Sequence, residues 1–338
     1  MMKTFRAALA LLLCLALAAA FILALLSGDY DLSVRDVGSI LASHLGLGDG
    51  LVPKMHDIIV WRIRFPRLLL AAMTGMAMAV AGAVYQGCFR NPLVEPYILG
   101  VSSGASCGAA LAIVFPALLP NGQLSAFLAG TAAVLISFFL ARSRGETPPV
   151  TLILSGIIVG SLFSAVLGIM KYLASDVELR EITFWMMGGF YYANWHDVAV
   201  TACAVLPCLA VLASLSWKLN LLSLGDEEAR SLGIHPDSLR ILFILLATLA
   251  ASVCVSVAGI IAWVGLMMPH AARMMFGPDN RWVLPGSALL GAVYMLICDT
   301  IARTLTGTEI PIAIITSIAG APYLLWLLRA KGRELYGA

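Results

Sequence analysis

The 338-residue sequence is 61% apolar and only 12% charged, with a formal net charge of +2. Ordinary soluble domains are about 45–50% apolar and about 25% charged, which excludes a soluble globular enzyme or a disordered chain, and so small a net charge leaves no basic surface for a nucleic acid. The apolar residues form long unbroken runs, not the alternating strands of about 10 residues that build a membrane β-barrel, so the chain reads as an all-α polytopic membrane protein.

Cutting the sequence at charged and Pro/Gly-rich stretches predicts ten spans, at roughly 7–26, 68–88, 94–115, 124–141, 151–171, 196–216, 239–258, 260–275, 283–302 and 310–329. Most are close to the about 20 residues that cross a bilayer. The first run follows Lys3 and Arg6 and ends at Ser27-Gly28-Asp29 without a small-x-small cleavage site. It exceeds the about 7–15 apolar residues of a signal-peptide core, so a retained span is expected. With the amino terminus inside, most of the 21 basic residues fall on inner segments, among them Arg90, Arg142, Lys218, Arg230, Arg240, Arg273, Arg281 and Arg329. That bias puts both termini in the cytoplasm.

Arg62, Arg64 and Arg67 break the bias, clustering in Trp-Arg-Ile-Arg-Phe-Pro-Arg at the outer mouth of the second span. Two readings fit: snorkelling to lipid head groups, or docking of acidic side chains from an outside partner, because arginine forks match carboxylates. In the third span Gly100, Gly104 and Gly108 share one face, as do Gly156, Gly160, Ser164 and Gly168 in the fifth. Such faces allow close helix packing in lipid; a smooth wall of a substrate path fits the same spacing. The glycines around 99–108 make no phosphate loop, because no Gly-Lys pair occurs anywhere in the chain.

Between the sixth and seventh spans, residues 217–238 predict a short amphipathic helix from Gly225 to Gly233. Asp226, Glu227 and Glu228 lie at its amino end, where the helix dipole favours negative charge. Gly233 is expected to adopt positive φ and end it, and Pro236 stops its continuation. This stretch is either a solvated connector or a knob for a cytoplasmic partner. Asp299 stands one turn before Arg303, which suggests a structural i,i+4 pair rather than a proton relay. His270 has no second ligand nearby in sequence and reads as structural. The seven cysteines, without a Cys-x-x-Cys pair, read as small buried hydrophobes. No catalytic constellation and no metal or cofactor set emerges, which disfavours a membrane enzyme; the missing relay disfavours an ion-coupled secondary transporter.

Four blocks resemble one family. They are Arg64-Phe-Pro-Arg67 running through Gly82-Ala-Val-Tyr-Gln86 to Asn91-Pro-Leu-Val-Glu-Pro96 and Leu99-Gly-Val-Ser-Ser-Gly-Ala105; Phe184-Trp-Met-Met-Gly-Gly-Phe190; Leu224-Gly-Asp-Glu-Glu-Ala-Arg-Ser-Leu-Gly233 leading to Gly265-Leu-Met-Met-Pro-His270 and Arg273; and Asp299-Thr-Ile-Ala-Arg303 with Glu309-Ile-Pro311 and Gly320-Ala-Pro322. Together they resemble the FecCD-type permease subunits of type II ABC importers. The resemblance implies one permease domain over 1–338 with ten spans, paired as a homodimer in a bacterial inner membrane. Two cytoplasmic ATPase subunits would bind ATP and Mg below it, and a periplasmic substrate-binding protein would sit above.

By the same resemblance, Arg64, Arg67 and Arg303 meet the binding protein. Asp226, Glu227, Glu228, Ala229 and Gly233 couple to the ATPase, and Asn91, Pro92 and Leu93 form a cytoplasmic gate, with a second gate stretch at 147–151. The implied cargo is a metal chelate (cobalamin, haem or a ferric siderophore), with a small oxyanion such as molybdate as the alternative.

Overall fold

The computed structural model of the protein describes residues 2–28, 30, 32–47, 53–142 and 148–335, and all regular structure among them is helical. In chain order the helices are α1 (Met2–Leu26), α2 (Val34–His44), α3 (Lys54–Asp57), α4 (Phe65–Phe89), α5 (Val101–Val114), α6 (Gly122–Ala141), α7 (Pro149–Leu173), α8 (Asp176–Met187), α9 (Trp195–Ser214), α10 (Ser216–Leu224), α11 (Asp226–Ser231), α12 (Pro236–Ala258), α13 (Val264–Phe276), α14 (Asn280–Thr304) and α15 (Ile312–Leu335). A π-helical stretch, Ile58–Arg64, joins α3 to α4 without a break. Helices α1, α4, α5, α6, α7, α9, α12, α13, α14 and α15 occupy the ten predicted spans. Among the described residues, seven helical segments are long and apolar enough to cross a membrane.

Two predicted spans are shorter than expected, and for the same reason. The third begins as a 3-10 turn, Pro96–Leu99, and turns at Gly100 before α5. The eighth starts only at Val264, after a non-helical stretch at 259–263. Irregular backbone is tolerated at membrane depth only where protein satisfies its polar groups. Here the two irregular stretches satisfy each other: the Tyr97 hydroxyl donates to the Ile261 carbonyl at 2.8 Å and accepts from the Ile261 amide at 3.0 Å.

The core is organised around α4, which is buried along nearly its whole length. Lipid gives helices little hydrophobic reason to associate, so close backbone contact must hold them together. Gly75 of α4 faces Gly291 of α14 so closely that a Cβ on either would fall on the other's carbonyl. Seven residues further, a Cβ on Gly82 would fall on the Gly265 carbonyl of α13. Between these contacts and the end of the helix, the Tyr85 hydroxyl shares a 2.6 Å hydrogen bond with Thr248 of α12.

The small-residue faces mostly pack. A Cβ on Gly104 or Gly108 would strike the α6 backbone at Ala129 or Ser125, and one on Gly156 would strike Ile98. Gly168 is the exception, with open space around it. Of the cysteines, Cys88, Cys107, Cys208, Cys254 and Cys298 are buried as expected, whereas Cys14 and Cys203 point outward from α1 and α9. His270 is buried within α13.

Two helices beyond the spans, α2 and α8, lie on the face read as outer. Each starts with a capping box: Ser33 with Asp36, and Ser175 with Glu178, in which serine and acid satisfy each other's backbone amides.

Candidate functional sites at the two membrane faces

On the face read as outer the three predicted docking arginines converge, and each is engaged by its own chain. The π-helical stretch carries Arg64 to the carboxyl end of α1, where it donates to the carbonyls of Leu25 (2.9 Å), Leu26 (3.2 Å) and Tyr30 (2.8 Å). Arg303, in the last turn of α14, donates to Ala24 at 2.7 Å and Ser27 at 3.0 Å. The last four carbonyls of a helix lack partners within it, and the helix dipole makes that end attractive to cations. Two arginines therefore cap α1, a physical reason for positive charge on the outer side that the sequence reading did not include.

Arg67 lies at the start of α4 and donates from Nε to Asp299 Oδ1 at 2.9 Å and from Nη1 to Glu309 at 2.8 Å. Arg303 takes the other Asp299 oxygen at 3.2 Å, so the expected i,i+4 pair is one edge of a four-membered network. Asp299 is fully buried, whereas the Glu309 side chain is 39% exposed. Arg64, Arg67, Arg303 and Glu309 line a small outer cavity of about 150 Å³. Glu309 also borders a larger cleft of about 610 Å³, bounded by Phe184, Trp185, Tyr191 and Tyr192 and by the end of α12. The Phe184–Phe190 block singled out in the sequence thus lines a cavity joined to the arginine rim through one carboxylate. Arg62, the remaining arginine of the outer cluster, is exposed.

At the opposite face, α4 ends at Arg90 and the chain turns through Asn91, Pro92 and Leu93. Asn91 Oδ1 accepts from the Leu93 amide at 2.9 Å, the self-bonded turn that asparagine favours. Gln86 ties this turn down: its Nε2 donates to the Val94 carbonyl at 3.2 Å, while its Oε1 accepts from Arg273 of α13. Asn91 and Leu93 are exposed and Pro92 is half-buried. Thr147 of the second gate stretch lies outside the described residues, and Pro149–Thr151 open α7.

The stretch predicted to couple to the ATPase folds as α10 and α11 around Gly225. The five predicted coupling residues divide by position. Ala229 is fully buried against the chain's own helices, and Asp226 pairs inward with Arg240 at 2.6 Å. Glu227, Glu228 and Gly233 face outward, flanked by the exposed Leu224 and Leu232. Gly233 has φ +79, as its place after the helix requires.

A family model described as the FecCD transport family matches residues 15–330. The chain belongs to that family. This FecCD protein is 42% identical over 281 residues to the cobalamin import system permease protein of Halobacterium salinarum, an alignment covering 83% of this chain and 76% of that one. It is 39% identical over 296 residues to the molybdate import system permease protein of Haemophilus influenzae, covering 87% of each. In three dimensions it matches a metal-chelate-type ABC transporter solved in an inward-facing conformation, with TM-score 0.85 and 36% identity over 95% of this chain and 99% of that one. The chain is a multi-pass permease of the type II ABC importer fold.

Glu309 is the residue of the FecCD rim that sequence reasoning passed over as part of a motif without a role. The sequence paired Asp299 with Arg303 alone and assigned Arg67 no anion within the chain, so no local pattern pointed to Glu309.

Proposed function

We propose that this FecCD permease works as a homodimer in a bacterial inner membrane, with both termini cytoplasmic, importing a metal chelate at the expense of ATP hydrolysed by two separate ATPase subunits. The observation that carries the reading is the placement of two specialised surfaces at opposite ends of one bundle. An arginine–carboxylate rim opens onto an aromatic cleft at one end, and an exposed acidic knob lies beside a turn at the other.

A periplasmic binding protein docks on the outer rim. Glu309 is the exchangeable member of the network there: it is half-exposed, and both its oxygens accept from Arg67 Nη1 alone, a contact that a carboxylate from the binding protein can replace. Arg64 and Arg303 act in docking by fixing the end of α1 beside that site. Below, the exposed Glu227, Glu228 and Gly233 meet the ATPase, with Asp226 and Ala229 holding the knob in place, and Asn91–Leu93 acts as a gate. Alternation follows from the different affinities of the binding protein and the ATPase for the outward- and inward-open states.

The chelate reading draws on the cobalamin permease and metal-chelate transporter relatives, and on a cleft of about 610 Å³ bordered by four aromatic rings. The molybdate permease relative supports a small oxyanion as the second reading. The deciding experiment is uptake into vesicles holding the permease and its ATPase, with the cognate binding protein loaded with cyanocobalamin, haemin, a ferric siderophore or molybdate. ATP-dependent uptake of one chelate is expected. Uptake of molybdate alone selects the second reading, and uptake without the ATPase overturns both.

A further inference from the structure

We infer that Arg90 is a positioning residue that transmits movement of the coupling helix α11 to the gate turn, through a carboxylate it shares with Arg240. The inference rests on the coupling reading and specifies how the knob reaches the gate. Two arginines from different helices converge on one oxygen of Asp226, the first residue of α11. Arg240 Nη2 lies 2.6 Å from Asp226 Oδ1, and Arg90 Nη2 lies 4.0 Å from the same atom. Arg240 comes from the second turn of α12 and is 1% exposed. Arg90 is the residue immediately before Asn91, so one peptide bond separates the cluster from the gate turn.

The backbone of Arg90 makes its identity informative. It caps α4 with φ +51 and ψ +36, the left-handed conformation. Helices usually place glycine there, because any Cβ crowds the carbonyl, or asparagine, whose side chain offsets that cost by local hydrogen bonding. A residue in that conformation gains nothing locally from being arginine. What arginine adds is a guanidinium directed at Asp226.

The surrounding contacts favour transmission over slack. Parting the buried Arg240 from Asp226 would cost it its closest ion pair, so the two are held to move together. A second strap joins the same helices: Arg240 Nη1 lies 3.4 Å from Asp237, and Arg230 of α11 lies 3.3 Å from that carboxylate. Beneath them, Gly87 in the last turn of α4 packs directly on Leu219 of α10. A displacement of α11 by a bound ATPase therefore acts on Arg90 through charge and on the end of α4 through contact.

The test uses the full permease–ATPase complex, with the seven native cysteines replaced and spin labels attached at Leu93→Cys in both subunits. The distance between labels is read without nucleotide and with ATP plus vanadate. The parent is expected to show a nucleotide-dependent change. Arg90→Gly is expected to lose it while retaining the ATPase and an equal or higher melting temperature, because glycine accepts positive φ. Arg90→Lys, which keeps the charge in the same backbone conformation, is expected to recover it. A purely local capping role predicts the parent's distance change in Arg90→Gly, which would overturn the inference. Loss of the ATPase from Arg90→Gly, or failure of Arg90→Lys to recover the change, would overturn it as well. A parent that shows no change would instead sink the coupling reading on which the inference rests.

Discussion

Arg67 and Asp299 lie 232 residues apart in the chain and meet at 2.9 Å, with the carboxylate fully buried. Arg303 takes the second oxygen of Asp299 at 3.2 Å, and Glu309 supplies the second anion, so two cations and two carboxylates balance where the start of α4 meets the end of α14. A network of this kind fixes register. Its members tie α1, α4, α14 and the 305–311 connection to one point, and charges removed from water need every partner present.

The two acids of this network should therefore differ sharply in cost. Asp299→Ala leaves two largely buried guanidiniums without their shared anion and is expected to lose about 3–5 kcal/mol of stability. Glu309→Gln removes only a half-exposed partner and should lose about 1 kcal/mol or less. Thermal unfolding of the purified permease in detergent compares them directly. Equal losses would mean that Asp299 is not the centre of the network.

Glu309 also separates two models of docking. If a carboxylate of the binding protein displaces Glu309 from Arg67, Glu309→Gln removes an internal competitor and should tighten binding. The affinity should then fall more steeply with added salt, because the parent trades an internal ion pair for the one across the interface whereas the variant gains a pair outright. Dissociation constants for the binding protein at two ionic strengths decide the matter. Unchanged affinity and unchanged salt dependence would exclude the exchange.

How far the fold was legible depended on which physical signal each element carried. The long apolar spans announced themselves through run length, and the Gly75, Gly82 and Gly104 contacts follow from small residues being what close helix approach demands. The broken starts of α5 and α13 were missed because their apolar composition continues through 94–100 and 259–263. Tertiary bonds, among them those between Tyr97 and Ile261, stabilise the irregular backbone there, and composition does not announce them. Helices α2 and α8 were missed although Ser33-Val-Arg-Asp36 and Ser175-Asp-Val-Glu178 both spell a capping box. At the site, the sequence clustered Arg62, Arg64 and Arg67 and the family resemblance added Arg303, but that Arg64 and Arg303 cap α1 depends on where Ala24–Ser27 end in space, and no local pattern encodes that.

A pH-dependent contribution is expected at the start of α14, outside the spans. Asp279 caps that helix and binds Asn220 of α10 at 2.8 Å. The side-chain hydrogen bond from Arg281 holds its carboxyl well below the usual range, down to about 2, with Asn220 adding to the effect. A depressed acid stabilises the fold above its unfolded value of about 3.9, and the contribution is lost as pH falls from there through about 2. Stability at this cap should be flat from pH 8 to 5 and drop only below about pH 4. Asp279→Ala should cost about 1 kcal/mol at neutral pH and flatten that acid limb. An acid limb identical in the parent and the variant, measured by melting temperature across pH, would remove Asp279 as its source.

The last expectation concerns Gly233, where space and backbone conformation can be separated. Nothing lies within 4 Å of the position a Cβ would take, so a larger side chain meets no obstacle. The constraint is φ +79 alone. The Gly233 amide donates to the Arg230 carbonyl at 3.0 Å and the Ile234 amide to that of Ala229 at 3.0 Å, and together they close the end of α11. A β-branched residue held at that φ costs on the order of 1–3 kcal/mol. A helix of one to two turns has little reserve to absorb it. Gly233→Val should therefore unravel the end of the knob beside the exposed Leu232. Asparagine visits the left-handed region far more readily, so Gly233→Asn should behave nearly as the parent. The measurement is co-purification of the ATPase subunit with each variant, alongside ATP-dependent uptake in vesicles. The valine variant should insert in the membrane and bind the periplasmic partner, yet retain little ATPase and transport little. Equal ATPase retention by valine, asparagine and parent would return the loop to a plain connector.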